Sequence, residues 1–259
     1  MNIPIYQVDA FTDKLFGGNP AAVCPLEKWL DAELMQKIAA ENNLSETAFF
    51  VKKGEGFDLR WFTPKVEVDL CGHGTLASAH VIFNHLDYDE KQITFSSASG
   101  ELRVTTADGR ITLDFPSTPP SPVEIFPELT QGLGLEPKEV HKSRDYLALF
   151  ESEDDILSVE PDFDILGKLD SLGIIITSQG KNSDFVSRFF APTAGINEDP
   201  VTGSAHTTLI PFWAERLNKN TLHAFQLSER KGELFCELSG DRVKISGDAV
   251  TFFKGEIVL

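Results

Sequence analysis

The spacing of apolar and polar positions along the chain predicts a succession of short strands with one longer helix in each half. Residues 3–9 read as a strand, and Phe16-Gly17-Gly18-Asn19-Pro20 as a turn-rich segment. From Asp31 to Asn43 apolar residues such as Leu34 and Ile38 recur every three to four positions. That is the period of an amphipathic helix, and Asn42-Asn43 would end it. Thr47–Val51 reads as a strand, and residues 74–86 as a helix opened by a glycine-containing turn. Glu101-Leu-Arg-Val-Thr-Thr, the turn Asp108-Gly109 and Ile111-Thr-Leu-Asp-Phe115 form a hairpin pattern. Pro116, Pro119, Pro120 and Pro122 then make a stiff connector, taken as the domain boundary. Beyond it, strands are predicted near 145–150, 173–178 and 185–191, a helix near 203–217, a hairpin around Ser239-Gly240-Asp241 and a last strand over 249–258. The acidic patch Glu151 to Asp155 reads as a solvated surface turn. The pattern predicts an α+β fold of two pseudo-symmetric halves, each a curled, mostly antiparallel sheet, an open barrel around a central helix. The halves are 1–117 and 118–259, with the last strand a candidate to pack back toward the first.

The prediction of two halves rests on an internal repeat. Arg60-Trp61-Phe62-Thr63-Pro64 and Arg188-Phe189-Phe190-Ala191-Pro192 match in register at an offset of 128 (60 to 188). Each leads through an acidic stretch, Glu67-Val68-Asp69 or Asn197-Glu198-Asp199, to a turn opening an apolar helical run. Those turns, Cys71-Gly72-His73-Gly74-Thr75 and Thr202-Gly203-Ser204-Ala205-His206, align at 131 (71 to 202), so the second loop is about three residues longer. Two similar half-domains create a cleft, and clefts at domain interfaces are favoured ligand sites.

Composition narrows the classes of function. The 259 residues are 41% hydrophobic and 24% charged, an ordinary globular make-up. A net charge of −17 repels phosphate backbones and anionic lipid, so neither nucleic-acid nor membrane binding is expected. Cys24, Cys71 and Cys236 are an odd, widely spaced set with no CxxC pair, which fits a reducing cytoplasm. Residues Ile3-Pro4-Ile5-Tyr6-Gln7-Val8 follow the first two positions without a basic segment or a long apolar run, so no export signal is read. HExxH, paired CxxC, GxGxxG and Walker patterns are lacking, and neither metal nor nucleotide cofactor is expected.

The candidate chemistry gathers at the two glycine turns. Gly72 and Gly203 let backbone approach a ligand, and a helix start offers free N–H groups to a carboxylate, so the pair would form an anion clamp. Cys71, at a helix N-terminus, would have its thiolate stabilised and could act as a base. A two-thiol racemase needs a second base, however, and the matching residue is Thr202, too weak an acid; Cys236 reads as a core residue. Glu46, at a helix-to-strand junction ahead of an apolar run, is the alternative: held partly out of water, a carboxyl can both give and take a proton. A surface glutamate at a strand start is the plainer reading of the same residue. His73 and Asp199 could assist, an imidazole titrating near neutrality and a carboxylate orienting it. His80 and His85 read as helix-surface or core residues.

Four segments together resemble a known family. Gln7-Val8-Asp9-Ala10-Phe11 with Gly17-Gly18-Asn19-Pro20-Ala21-Ala22-Val23, then Leu44-Ser45-Glu46-Thr47-Ala48-Phe49, then the block from Arg60 to Thr75, and finally Phe190-Ala191-Pro192 through His206 are similar to the phenazine-biosynthesis PhzF-like family, nearly end to end. The resemblance implies a fold like diaminopimelate epimerase and proline racemase, a homodimer, and isomerisation of trans-2,3-dihydro-3-hydroxyanthranilate or a related small carboxylate without a cofactor. It implies Glu46 as the proton shuttle, Ser45, His73, Asp199 and Ser204 as substrate-lining residues, and Gly72 and Gly203 as the glycine turns. One departure is Gly74, where alanine is expected in many phenazine-type members; His73-Gly74 is also close to proline racemase. The leading expectation is an isomerase using glutamate acid/base catalysis. The alternatives are an amino-acid racemase or epimerase using Cys71 and a binding protein without turnover.

Overall fold

Strand β1 (Asn2–Ala10) buries Ile3 and Ile5 on one face and then the consecutive residues Val8, Asp9 and Ala10. A strand hidden on both faces at one end is what a sheet curling round a central element requires. In the computed structural model, which describes residues 2–259, the chain divides into two units, Met1–Asp114 with Ser246–Leu259, and Phe115–Ile245. In the first unit β1 pairs antiparallel with β2 (Asn19–Leu26). Helix α1 (Ala32–Asn42) carries the chain to β3 (Glu46–Lys53), which lies parallel to β2 with Glu46 opposite Ala21. Asn43 closes α1 in the left-handed conformation, its N–H on the Ala39 carbonyl. β4 (Gly56–Phe62) returns antiparallel on β3, and β5 (Glu67–Val68) pairs with the end of β4. After helix α2 (Gly72–His85) come β6 (Gln92–Ser97), β7 (Gly100–Ala107) and β8 (Arg110–Pro116). Asp108 (φ 53°) and Gly109 (φ 82°) form the β7–β8 turn, both left-handed as a type I′ turn requires.

The second unit runs β9 (Ser121–Val123), α3 (Pro127–Leu133), β10 (Glu139–Lys142), β11 (Tyr146–Leu149), α4 (Glu153–Ser158), α5 (Phe163–Leu166), β12 (Ile174–Gln179), β13 (Phe185–Phe190), α6 (Gly203–Leu217), β14 (Thr221–Gln226), β15 (Gly232–Ser239) and β16 (Arg242–Gly247). The last strand, β17 (Ala249–Val258), belongs to the first unit, paired antiparallel with β1 from Asn2↔Val258 to Ala10↔Ala249. The internal repeat extends to topology. The series β1–β2–β3–β4–β6–β7 pairs antiparallel, parallel, antiparallel, parallel, antiparallel. The series β10–β11–β12–β13–β14–β15 repeats that alternation step for step.

Each unit encloses one helix. α2 buries ten residues on every side of its axis, among them Gly72, His73, Leu76, Ala79 and Ile82, and packs on β1, β2 and β3. A helix apolar all round belongs inside a protein. α6 is its counterpart, packed on β14 and β15. It carries Pro211 in its interior; with no N–H at 211, the Thr207 carbonyl loses its helical partner, and Thr118 N–H supplies one at 3.0 Å.

Several segments differ from the sequence reading. The run expected to be a turn at 16–20 contains the start of β2: Asn19 is already strand, and Pro20 pairs with Asp9. The acidic patch at 151–155 is not a solvated turn but the start of helix α4. Ser152 and Asp155 form a reciprocal capping box there, and acidic side chains suit the helix's positive end. The proline connector is partly ordered as β9, where Pro122 faces His141 of β10.

Candidate active site

Glu46 opens β3, paired with Ala21 of β2, and the next residue, Thr47, pairs with Phe62 of β4. Its side chain is buried, and Oε2 lies 2.9 Å from Nε2 of His73. His73 is the second residue of α2, so the glycine turn brings the imidazole to the carboxylate. Cys71 caps the helix, its Sγ accepting the Gly74 N–H at 3.3 Å and lying 3.6 Å from Nδ1 of His73. The Nδ2 atom of Asn19, fully buried at the start of β2, lies 3.2 Å from the same Nδ1. Ser45 is half-buried at the bend just before Glu46, and Gly72 is the first residue of α2.

Electrostatics decides the protonation of this group. Burial works against a charged His73, while the acidic side chains of Cys71 and Glu46 favour it and raise its pKa well above the ordinary value, the Glu46 share being the one that remains while the thiol is protonated. Burial first, and the Glu46 charge second, push the Cys71 thiol up. This corrects the expectation of a stabilised thiolate: the helix terminus supplies one N–H bond, too little to offset full desolvation beside a carboxylate. The thiol is therefore the form present near neutrality, and Glu46 is the partner of charged His73. Cys236 is buried in β15 and its thiol is likewise pushed up.

Glu46, Cys71 and His73 each bring one ligand-type atom within 4.8 Å of the others. The imidazole meets Glu46 through Nε2 and Cys71 through Nδ1. The ring thus presents opposite nitrogens to the two groups. Gly74 follows from the same packing: a Cβ there would stand 2.9 Å from the Trp61 ring and 3.0 Å from Cys71 Sγ.

The second unit holds the other sequence candidates. Thr202 caps α6, with Gly203 and Ser204 as its first two residues. The Thr202 hydroxyl donates to Asp199 Oδ2 at 2.5 Å; Gln226 accepts the Thr202 N–H at 2.8 Å and donates to the Asp199 carbonyl at 2.8 Å. The carboxylate brought to His73 is thus Glu46, while Asp199 is held by Thr202. Ser204 Oγ accepts from Arg144 at 3.0 Å, and Arg144 is anchored on buried Asp145 at 2.7 Å. His206 places Nδ1 2.8 Å from the Thr202 carbonyl. His80 and His85 both bond Thr251 of β17, at 2.9 and 2.7 Å, and serve packing. Asn19, Gln226 and Arg144 were not found from the sequence. Asn19 stands in a quoted motif, but the glycines before it read as turn chemistry; the other two lie outside the repeated blocks.

Two enclosed helices in sheets of matching topology define a diaminopimelate epimerase-like fold. The fold is shared with a probable proline racemase from Agrobacterium radiobacter (TM-score 0.67, 9% identity, 99% of this chain and 93% of that one). The family model described as "Phenazine biosynthesis-like protein" matches residues 8–255, and the chain belongs to that family of isomerases. It is 54% identical over 260 residues to a protein of Pseudomonas aeruginosa named an uncharacterized isomerase, covering 100% of both. It superposes on a PhzF-family phenazine biosynthesis protein of Enterococcus faecalis with a TM-score of 0.98 at 50% identity, again over 100% of both chains. Among the described residues no helix is long and apolar enough to cross a membrane.

Proposed function

We propose that this chain isomerises a small carboxylate-bearing, unsaturated or cyclic molecule of the dihydro-hydroxyanthranilate type by moving one proton with Glu46 and without a cofactor. The observation that carries the reading is the buried Glu46 carboxylate 2.9 Å from Nε2 of His73, at the glycine-opened start of α2. Glu46 takes a proton from a substrate carbon; the electron pair of the broken C–H bond spreads into the unsaturated system. The protonated Glu46, its carboxyl proton exchanging with solvent in a fraction of turnovers, then protonates a second carbon, so the product has the substrate's formula and takes up deuterium from heavy water. His73, charged through its carboxylate partner, steadies Glu46 while it is ionised and offers its proton to developing negative charge. Ser45, Gly72 and His73 of the first unit and Asp199, Gly203 and Ser204 of the second are the proposed substrate-binding residues, with backbone N–H groups at both helix starts suited to a carboxylate.

The test is Glu46→Gln, which preserves shape and hydrogen bonding but cannot shuttle a proton. Deuterium uptake from heavy water, screened across dihydro-hydroxyanthranilates and a panel of small carboxylic acids, should fall roughly 10²–10⁴-fold while ligand binding persists. Uptake that survives the substitution removes Glu46 from the role. Binding without uptake by the unmodified protein on any compound would favour a non-catalytic binding protein. The Cys71 racemase reading is weakened by a protonated, buried thiol and by Thr202 at the matching position.

A further inference from the structure

We propose that Asn19 is a positioning residue for the reaction just described: its side-chain amide holds the His73 ring with Nε2 beside the Glu46 carboxylate whether the ring is neutral or charged. Asn19 is fully buried, and its Nδ2 lies 3.2 Å from Nδ1 of His73. A buried polar group so placed is there to be paired. The backbone leading to it is constrained: Gly18 has φ +59°, and a Cβ on it would stand 2.1 Å from the Ala10 carbonyl oxygen. Asn19 is then locked opposite Ala10 in the β1–β2 ladder, two residues ahead of Ala21, the partner of Glu46 across β2–β3. The strand pairings that fix Glu46 therefore also fix the group behind His73.

The chemistry follows from what an amide can do. In the orientation seen, the NH2 group donates to Nδ1, so a neutral ring must carry its hydrogen on Nε2, 2.9 Å from Glu46. A charged ring carries hydrogen on both nitrogens, and Nδ1–H then needs an acceptor. Exchange of the amide's two ends, which an imidazole cannot force on a carboxylate or an aliphatic residue, presents Oδ1. The groups facing His73 are Glu46 from β3, Asn19 from β2 and Cys71 from its own helix cap. The thiol is a weak partner in either direction, so the amide is the one that can serve both states. Proton movement at Glu46 can then proceed without the imidazole turning away. The inference rests on Glu46 as shuttle, yet its first test needs no substrate.

The experiment is long-range ¹H–¹⁵N NMR of the full chain labelled with ¹⁵N-histidine, His73 being assigned from His73→Gln. In the unmodified protein, neutral His73 is expected as the Nε2–H tautomer. Asn19→Asp, which can only accept, should raise the proton affinity of His73 at least tenfold and shift the alkaline limb of the rate profile upward. Asn19→Leu, of similar size and without polar atoms, should lower that affinity and admit the Nδ1–H tautomer. With a substrate from the deuterium screen, Asn19→Leu should lower kcat at least tenfold with KM within about twofold. A neutral ring carrying its hydrogen on Nδ1 in the unmodified protein would overturn the inference even if both variants failed to fold. So would two folded variants that leave tautomer and titration unmoved. Failure of the Glu46→Gln test with these NMR results intact would sink the shuttle and leave the His73–Asn19 pairing standing.

Discussion

Glu46 and Gly173 occupy matching places in the two repeats. Thr47 pairs with Phe62 and Ile174 with Phe190; since Phe62 and Phe190 are equivalent, so are the residues just before Thr47 and Ile174. At Gly173 a Cβ would stand 2.2 Å from the Phe189 ring, so a side chain there requires that ring to move. The thiol position is likewise unpaired, Cys71 matching Thr202. At these matched positions the duplication therefore keeps one carboxylic acid and one thiol, with no second copy of either. Around that acid the packing is tight. Gly74→Ala should gain helix propensity but push on the buried Trp61 ring and on Cys71 Sγ, a net loss of about 1 kcal/mol. Urea unfolding would read it, and a variant more stable than the parent would show that Trp61 yields freely.

At the scale of elements, the repeat preserves an arginine fork whose surroundings have diverged. Arg60 meets Glu67 through Nε and Nη2 at 2.6 and 2.7 Å, and Arg188 meets Glu198 in the same way at 2.8 and 2.9 Å. Each guanidinium lies over the phenylalanine two residues on, Phe62 at 5.2 Å and Phe190 at 5.0 Å. Arg188 does more: its Nη1 donates to the carbonyls of Ile156 and Val159, closing the C-terminal end of α4, and it is 13% exposed where Arg60 is 31%. Replacement by methionine should therefore cost about 1 kcal/mol at Arg60 and about 2–4 kcal/mol at Arg188, where carbonyls and a part-buried carboxylate are left behind. Equal losses in denaturant midpoints would show that the α4 contacts contribute nothing. These forks also mark the limit of what was legible beforehand. The matched arginines and acidic stretches were visible in the sequence, as were both central helices and Glu46 with His73. Their pairing was not, because side-chain partners across a loop leave no periodic trace. Strand β2 was hidden for a related reason: Gly17, Gly18 and Pro20 carry turn chemistry into a segment whose tertiary neighbours make it a strand. Helix α4 was masked because acidic residues at a helix start look the same in sequence as a solvated patch.

For the molecule as a whole, the buried histidines set the pH range over which it holds together, and they act in opposite senses. Burial lowers the pKa of His206 to about 4, against the weaker pull of the Thr202 carbonyl, and burial with the nearby His85 lowers His80 to about 4. A neutral ring in the folded state and an ordinary value near 6.5 when unfolded mean that, between those limits, the unfolded chain binds more protons. Stability from these two residues is thus complete above about pH 6.5 and lost as pH falls toward 4. His73 is the reverse case: with its folded value raised, its contribution is complete below about 6.5 and lost as pH rises through that raised value. Stability should therefore peak around neutrality. The acid side can be isolated with His206→Asn, whose amide keeps a donor for the Thr202 carbonyl but does not titrate. The gap in unfolding free energy between parent and variant should shift by about 3 kcal/mol in the variant's favour from pH 7 to pH 4. If the two stability curves run parallel across that range, His206 is not held neutral in the fold, and the acid sensitivity belongs to other groups.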